Sequence, residues 1–348
     1  RGVLTLNFVC FFVIPFFFFL SGYVARVKQK TFKEYFAHKF STLMIPMYIF
    51  NIMSMFLFFI VGIFYNGPLV EELTKYDLTE LQKIMVVLFA GAPAYNFPTW
   101  FLTCLFTTSI FFYFIFKITK DDTKKLLIVI IILSITGYLM ESLKNVVPNF
   151  HYVMYFWFIP TALTSTTFYL IGYLTRRLQI FEVIEYNKNL KYLFFIIPFI
   201  LLVITTHLFG FYKYPEYESY RGGPYMNHLL FGNFFIFYFS AFLGIIMSTT
   251  LSMFVKKNKY LDYVGKRTLY LLGFIGFFYQ FTTGMVVYIY AIYIGSNNYL
   301  FFICYCIFFA LVQLLLSLLL MKPVYTIVNK SVDKSKYMLN VLLGNKSF

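Results

Sequence analysis

Residues 40–65 read FSTLMIPMYIFNIMSMFLFFIVGIFY, with no charged side chain. The segment before them, 26–39, carries Arg26, Lys28, Lys30, Lys33 and Lys39 against Glu34 alone. About 20 consecutive apolar residues cross a bilayer as a helix. A continuous apolar run also excludes the alternating strands of an outer-membrane barrel. Working outward in both directions, the same reading finds further spans at 3–25, 98–116, 126–140, 153–175, 192–210, 230–254, 269–294 and 299–321. None has Lys or Arg in its interior, consistent with the cost of a cation in hydrocarbon. The fold class is all-α: a polytopic transmembrane helical bundle with nine visible spans, read as one domain over 1–348. The shortest span is 126–140.

Composition agrees. Of 348 residues, 60% are hydrophobic and 24% aromatic, with 49 Phe and 31 Tyr, and only 12% are charged, against roughly 25% in soluble domains. Disorder and a secreted disulfide scaffold are excluded on these grounds. The formal net charge of +15 would suggest a polyanion in a soluble protein, but its placement records topology instead. Alternating the loops across nine spans puts 23 of the 29 basic residues on one side, counting the C-terminal tail, and 6 on the other. Acidic residues divide seven and seven. The sides carry net +16 and −1, so the C-terminus is expected in the cytoplasm and residue 1 outside, in the cell membrane, with the lipid bilayer and no nucleic acid as partner. Because the chain opens on Arg1 and enters a span at once, one more helix is expected upstream, making ten.

Few residues carry chemistry. Cys10, Cys104, Cys304 and Cys306 all fall inside spans, where they pack as small apolar groups. Pro15, Pro46, Pro98, Pro160 and Pro198 predict kinks or helix starts. No Walker loop, GxSxG, HExxH or metal-ligand spacing occurs, so no metal is expected. Asn7, Asn51, Gln280 and Gln313 read as interhelical hydrogen-bonding groups. His151, His207 and His228 fall at external span ends, where a histidine is either simply solvated or a general base for a hydroxyl; they are the catalytic candidates. On the cytoplasmic side Lys28, Lys33, Lys39, Lys256, Lys257, Lys266 and Arg267 abut span ends. They suit a phosphorylated donor or contacts with anionic lipid.

Several stretches, in order, resemble the acyltransferase-3 family of integral membrane acyltransferases, in its fucose 4-O-acetylase-like branch. They are Ile14-Pro15-Phe16-Phe17-Phe18-Phe19-Leu20-Ser21-Gly22-Tyr23, Leu43-Met44-Ile45-Pro46, Trp100-Phe101-Leu102 with Leu105-Phe106, and Phe168-Tyr169-Leu170-Ile171-Gly172-Tyr173. Gly232-Asn233 with Phe237-Tyr238-Phe239-Ser240-Ala241 and Gly244, and Tyr263-Val264-Gly265-Lys266-Arg267-Thr268-Leu269, complete the series. The resemblance implies a ten-helix bundle that moves an acyl group, most simply acetyl, from acyl-CoA as co-substrate to a hydroxyl of a carbohydrate or other cell-envelope acceptor, with no bound cofactor. On that reading Lys33, Lys39, Lys266 and Arg267 hold the CoA phosphates, and Trp100 and Asn233 position the acceptor. The sequence departs from the family in three places. The first helix, with the histidine that the resemblance implies is catalytic, is not in this stretch, so on that reading the catalytic residue lies outside it; Ser41 and Thr42 stand where basic residues are usual; and the histidine after the Gly265 segment is replaced near Phe274-Ile275. A transporter or flippase for a glycan or lipid precursor is the alternative, though no inverted repeat is visible. A catalytically inactive relative is the third reading.

Overall fold

A computed structural model describes residues 11–26, 31–64, 79–147, 150–209, 224–256, 258–276 and 299–342. Among these, helix accounts for nearly everything, with one isolated antiparallel bridge, Tyr225 to Leu230. Five described helical segments are long and apolar enough to cross a membrane: Phe32–Ile60, Phe97–Thr119, Thr123–Lys144, Lys188–Phe209 and Phe234–Ser252, with Val13–Tyr23 a shorter apolar helix. The protein is a multi-pass integral membrane protein with an all-α bundle fold. Asn7, Cys10, Lys28, Lys257 and Gln280 lie outside the described residues, as does most of the expected span 269–294.

The chain forms two compact units, residues 1–30 with 104–257, and 31–103 with 258–348. The first contains α1 (Val13–Tyr23), most of α5 (Trp100–Thr119), α6 (Thr123–Val146), α7 (Phe150–Tyr155), α8 (Ile159–Arg177), α9 (Ile180–Tyr186), α10 (Lys188–Phe209) and α11 (Phe234–Ser252). Helix α8 is its centre. Thirteen of its nineteen residues are buried, and it packs against both α1 and α6, while α10 packs on α11. Small residues set the closest approach, as expected where lipid supplies no hydrophobic drive between helices. A Cβ on Gly22 would lie 1.9 Å from the Tyr169 carbonyl oxygen, and one on Gly172 would lie 2.0 Å from that of Phe19. Phe112, Leu126, Ile130, Tyr169, Leu170 and Leu174 form one core cluster, and Phe12, Leu202, Leu243 and Met247 another. On α6 the side chains of Ile128, Ile131, Ile132 and Ile135 stay exposed, a surface suited to hydrocarbon.

In the first unit, two of the expected spans have clearly different limits. Helix α6 outruns 126–140 at both ends: Asp122 caps it by accepting from Lys125 N, and its charged residues fall in the terminal turns. The span expected at 153–175 is divided. Trp157 and Phe158 both take left-handed backbone angles, φ 51° and 50°, which separates α7 from α8. Pro160 then occupies the first turn of α8, where its missing N–H has no cost.

The second unit holds α2 (Phe32–Lys39), a π-helical turn (Phe40–Met44), α3 (Ile45–Phe64), α4 (Glu80–Met85) with a second π-helical turn (Val86–Ala90), α12 (Lys259–Gly265) and α13 (Tyr299–Leu342). Residues 268–276 are also helical. Thr31 and Glu34 form a reciprocal capping box on α2, the arrangement that fixes a helix start. Helix α13 continues well past the expected limit at 321 and packs against α2, the first π-turn and α3, with Ser41 and Ser335 hydroxyls 3.3 Å apart. The core comprises Phe50, Tyr270, Leu271, Phe274, Val324, Val328 and Val332.

Candidate functional site

In the first unit the polar chemistry gathers at the end of α6. Glu141 accepts from the backbone N–H of Phe231 (3.1 Å) and Gly232 (3.4 Å), and the Tyr138 hydroxyl donates to the Gly232 carbonyl at 2.8 Å. These bonds anchor the turn 225–230, which closes on itself through Tyr225 and Leu230, with Leu229 left-handed at φ 51°. From α8, the Thr161 hydroxyl donates to the Met226 carbonyl. A segment held from two helices in this way places His228 against α7, its Nδ1 3.0 Å from the Tyr155 hydroxyl, with the Tyr155 ring edge-on at 6.2 Å.

Burial holds the His228 imidazole below its ordinary pKa, and the positive charge of Lys144 pushes the same way. The ring is therefore neutral at pH 7. A neutral imidazole has one donor and one acceptor nitrogen. When Nδ1–H donates to the Tyr155 oxygen, Nε2 carries the lone pair a general base requires. Next in sequence, Asn227 is buried, and its Nδ2 has no hydrogen-bond acceptor among the described residues.

The other histidine candidates are placed differently. His207 is exposed in the last turn of α10. His151 lies on α7, and its side chain is outside the described residues. Asn233 is exposed and caps α11, its side chain accepting from Phe235 N and Ile236 N.

In the second unit, Lys33 is exposed on α2, and Lys39 lies 5.7 Å from the centroid of the Tyr35 ring. Lys266 is exposed and paired with Asp262 at 2.7 Å. Arg267 is the most constrained of the four. Its guanidinium stacks on Tyr263 at 3.9 Å and on Tyr325 of α13 at 4.6 Å, while Nη1 donates to the Tyr263 carbonyl at 3.2 Å. Two rings and a carbonyl fix the plane of the fork, the condition for recognising a phosphate through paired N–H bonds.

Trp100 is buried at the start of α5, beside a network centred on Asn51 and Asn96. Asn51 Nδ2 donates to the Met47 carbonyl and Thr99 Oγ1, both at 2.9 Å, and its Oδ1 accepts from Tyr95 N and Asn96 N. Asn96 Nδ2 donates to Ser54 Oγ at 3.1 Å and to the Gly273 carbonyl at 2.9 Å. Asn51 thus acts as the interhelical group its sequence position suggested.

The family model described as an acyltransferase domain matches residues 1–322. The chain belongs to the acyltransferase-3 family. No curated protein and no solved structure matches it. Two stretches that resemble family patterns, those ending at Tyr23 and Tyr173, are the two sides of the α1–α8 crossing. The family member's Tyr155, Asn227, Glu141 and Lys144 were not legible as site residues, because only the fold brings α6 and α7 to the 225–232 segment. Glu141 and Lys144, charged and three apart at a span end, were the available signal.

Proposed function

We propose that the protein transfers an acyl group, most simply acetyl, from acyl-CoA to a hydroxyl of a carbohydrate or other cell-envelope acceptor, with His228 as general base. The observation that carries the reading is the His228–Tyr155 pair: a neutral, half-buried imidazole with its ring fixed by a phenol. In the reaction, Nε2 takes the acceptor's hydroxyl proton as the oxygen attacks the thioester carbonyl. The tetrahedral intermediate collapses with cleavage of the C–S bond, and the imidazolium returns its proton to the departing CoA thiolate. Tyr155 holds the ring, and the unfilled Asn227 amide donates to an acceptor oxygen. Within the second unit, the fixed fork of Arg267 suits a phosphate of the donor, with Lys266, Lys33 and Lys39 as further cations of that unit.

Membranes containing the full chain, given radiolabelled acetyl-CoA and cell-envelope glycans, should transfer label to glycan and release free CoA. His228→Gln should abolish most of both. Absence of transfer and of CoA release by the unsubstituted protein would overturn the reading.

A further inference from the structure

Tyr155 and Thr161 both reach the 225–230 segment: the Tyr155 hydroxyl pairs with His228 Nδ1 at 3.0 Å, and the Thr161 hydroxyl donates to the Met226 carbonyl at 3.3 Å. On one continuous helix the two would face different ways. Six residues advance a helix by about 600°, which leaves their side chains about 120° apart. The break between α7 and α8 removes this conflict. Around it Phe156 N bonds the Val153 carbonyl and Ile159 N the Phe156 carbonyl, both three residues back, and the i−4 pattern resumes where Ala162 N meets the Phe158 carbonyl.

Two large side chains make the break, Trp157 at φ 51° and Phe158 at φ 50°. Bulky residues hold such left-handed angles only where their surroundings impose them. Here the contacts come from two sides. On α5, the Thr107 hydroxyl donates to the Trp157 carbonyl at 2.7 Å, and the Phe106 ring lies 5.6 Å from the Trp157 ring. Beyond the turn, the buried Phe158 ring meets the Tyr155 ring edge-on at 5.8 Å. Of the two α5 contacts, the hydrogen bond is the directional one. It fixes the peptide plane that joins Trp157 to Phe158, and the placement of the Phe158 ring against Tyr155 follows from that plane.

We propose that Thr107 is a positioning residue for the His228 imidazole, acting through the Trp157 carbonyl, Phe158 and Tyr155. Without its hydroxyl the 157–158 peptide plane turns, the left-handed pair relaxes, and the Tyr155 phenol leaves Nδ1. The consequence for catalysis rests on His228 being the base; the placement of the ring does not.

The full chain, labelled with ¹⁵N in its histidine rings, is reconstituted in lipid vesicles, and the His228 resonances are identified by their loss in His228→Gln. The unsubstituted ring should be held as the Nδ1–H tautomer. Tyr155→Phe should shift it toward Nε2–H, the form a free imidazole favours. Thr107→Val keeps the shape of threonine and Thr107→Ala is smaller; both lack the hydroxyl, and both should reproduce the Tyr155→Phe shift. Thr107→Ser keeps a hydroxyl and should keep the original spectrum. Combining Thr107→Val with Tyr155→Phe should go no further than Tyr155→Phe alone, because residues acting in series are not additive. In acyl transfer, Thr107→Val should lose about tenfold in kcat/KM, as Tyr155→Phe does, and Thr107→Ser should restore it. An unshifted His228 spectrum in either Thr107→Val or Thr107→Ala, or effects that add in the double variant, would overturn the proposal. If His228→Gln leaves acyl transfer intact while Thr107→Val still shifts the tautomer, the base assignment fails and the positioning chain stands.

Discussion

Gly22 rests on the backbone of Tyr169: a Cβ at Gly22 would stand 1.9 Å from the Tyr169 carbonyl oxygen. The obstacle is backbone on the neighbouring helix, so no rotamer change relieves it, and α1 must move off α8. Overpacking of this kind costs about 1–3 kcal/mol, and Gly22→Ala or Gly172→Ala should fall at the upper end. Gly265 is the internal control, because a Cβ there meets nothing within 4 Å. In a helix Ala is better than Gly by up to about 1 kcal/mol, so Gly265→Ala should hold or raise the midpoint of thermal unfolding that Gly22→Ala lowers. Equal behaviour of the two variants would refute the close-crossing account.

General-base catalysis contributes about 10²–10⁴-fold, and His228→Gln should lower kcat/KM for acyl transfer by that order. Tyr155→Phe keeps the ring contact and removes the hydroxyl, leaving the imidazole orientation unfixed. It acts as a positioning change, with a loss of about tenfold, 1.4 kcal/mol, and an altered pH profile. The base works when neutral, so activity should rise with pH through a value below the ordinary 6.5, and Lys144→Met should move that value up by removing a positive charge. The linkage has a matching sign. With the folded pKa depressed, the unfolded chain binds the proton more readily, so the contribution to stability is full above about 6.5 and is lost as pH falls through the folded value. A profile that does not move in Lys144→Met would argue against His228 as the base.

The five described spans were legible because long apolar runs follow from the bilayer alone. The misread limits have local causes. Helix α6 looked short because Lys124, Lys125, Glu141 and Lys144 resemble loop residues, although terminal turns accommodate them and Glu141 is spent on the Phe231 and Gly232 amides. The break before α8 rests on Trp157 and Phe158 in left-handed conformation, which no residue pattern of large L side chains announces. His228 was legible by type, but Tyr155 lies 73 residues away and becomes a partner only through folding. Likewise Arg267 was legible as a cation, and its stacking on Tyr325 was not.

Lys83 is buried and Glu80 is its ion-pair partner. Because Glu80 is mostly exposed, the pair alone is worth less than about 1 kcal/mol. Neutralising the carboxylate does more, since the buried Lys83 ammonium then keeps only a neutral amide oxygen in place of its counter-charge, a loss of about 1–3 kcal/mol. Glu80→Gln should therefore lower the thermal midpoint, and Lys83→Met, which removes the stranded charge, should lower it less. The Lys83 and Tyr95 bonds hold the Glu80 carboxyl below its ordinary 4.5. The pair's contribution is therefore complete above that pH and lost as pH falls through the depressed value. A larger loss in Lys83→Met than in Glu80→Gln would contradict this account.

Arg267 offers the sharpest test of donor binding. Lysine keeps the charge at this position but has neither the planar fork nor the face that stacks on Tyr263 and Tyr325. If the fork holds a CoA phosphate in ground state and transition state alike, Arg267→Lys should raise KM for acyl-CoA about tenfold, 1.4 kcal/mol, with kcat unchanged. Lys266→Gln removes an exposed lysine already paired with Asp262 and should change KM by much less. Tyr325→Leu leaves the arginine charge but removes one stacking ring, so its KM should fall between those two. A drop in kcat at constant KM in Arg267→Lys would place the residue's effect in the transition state and defeat the assignment to donor binding.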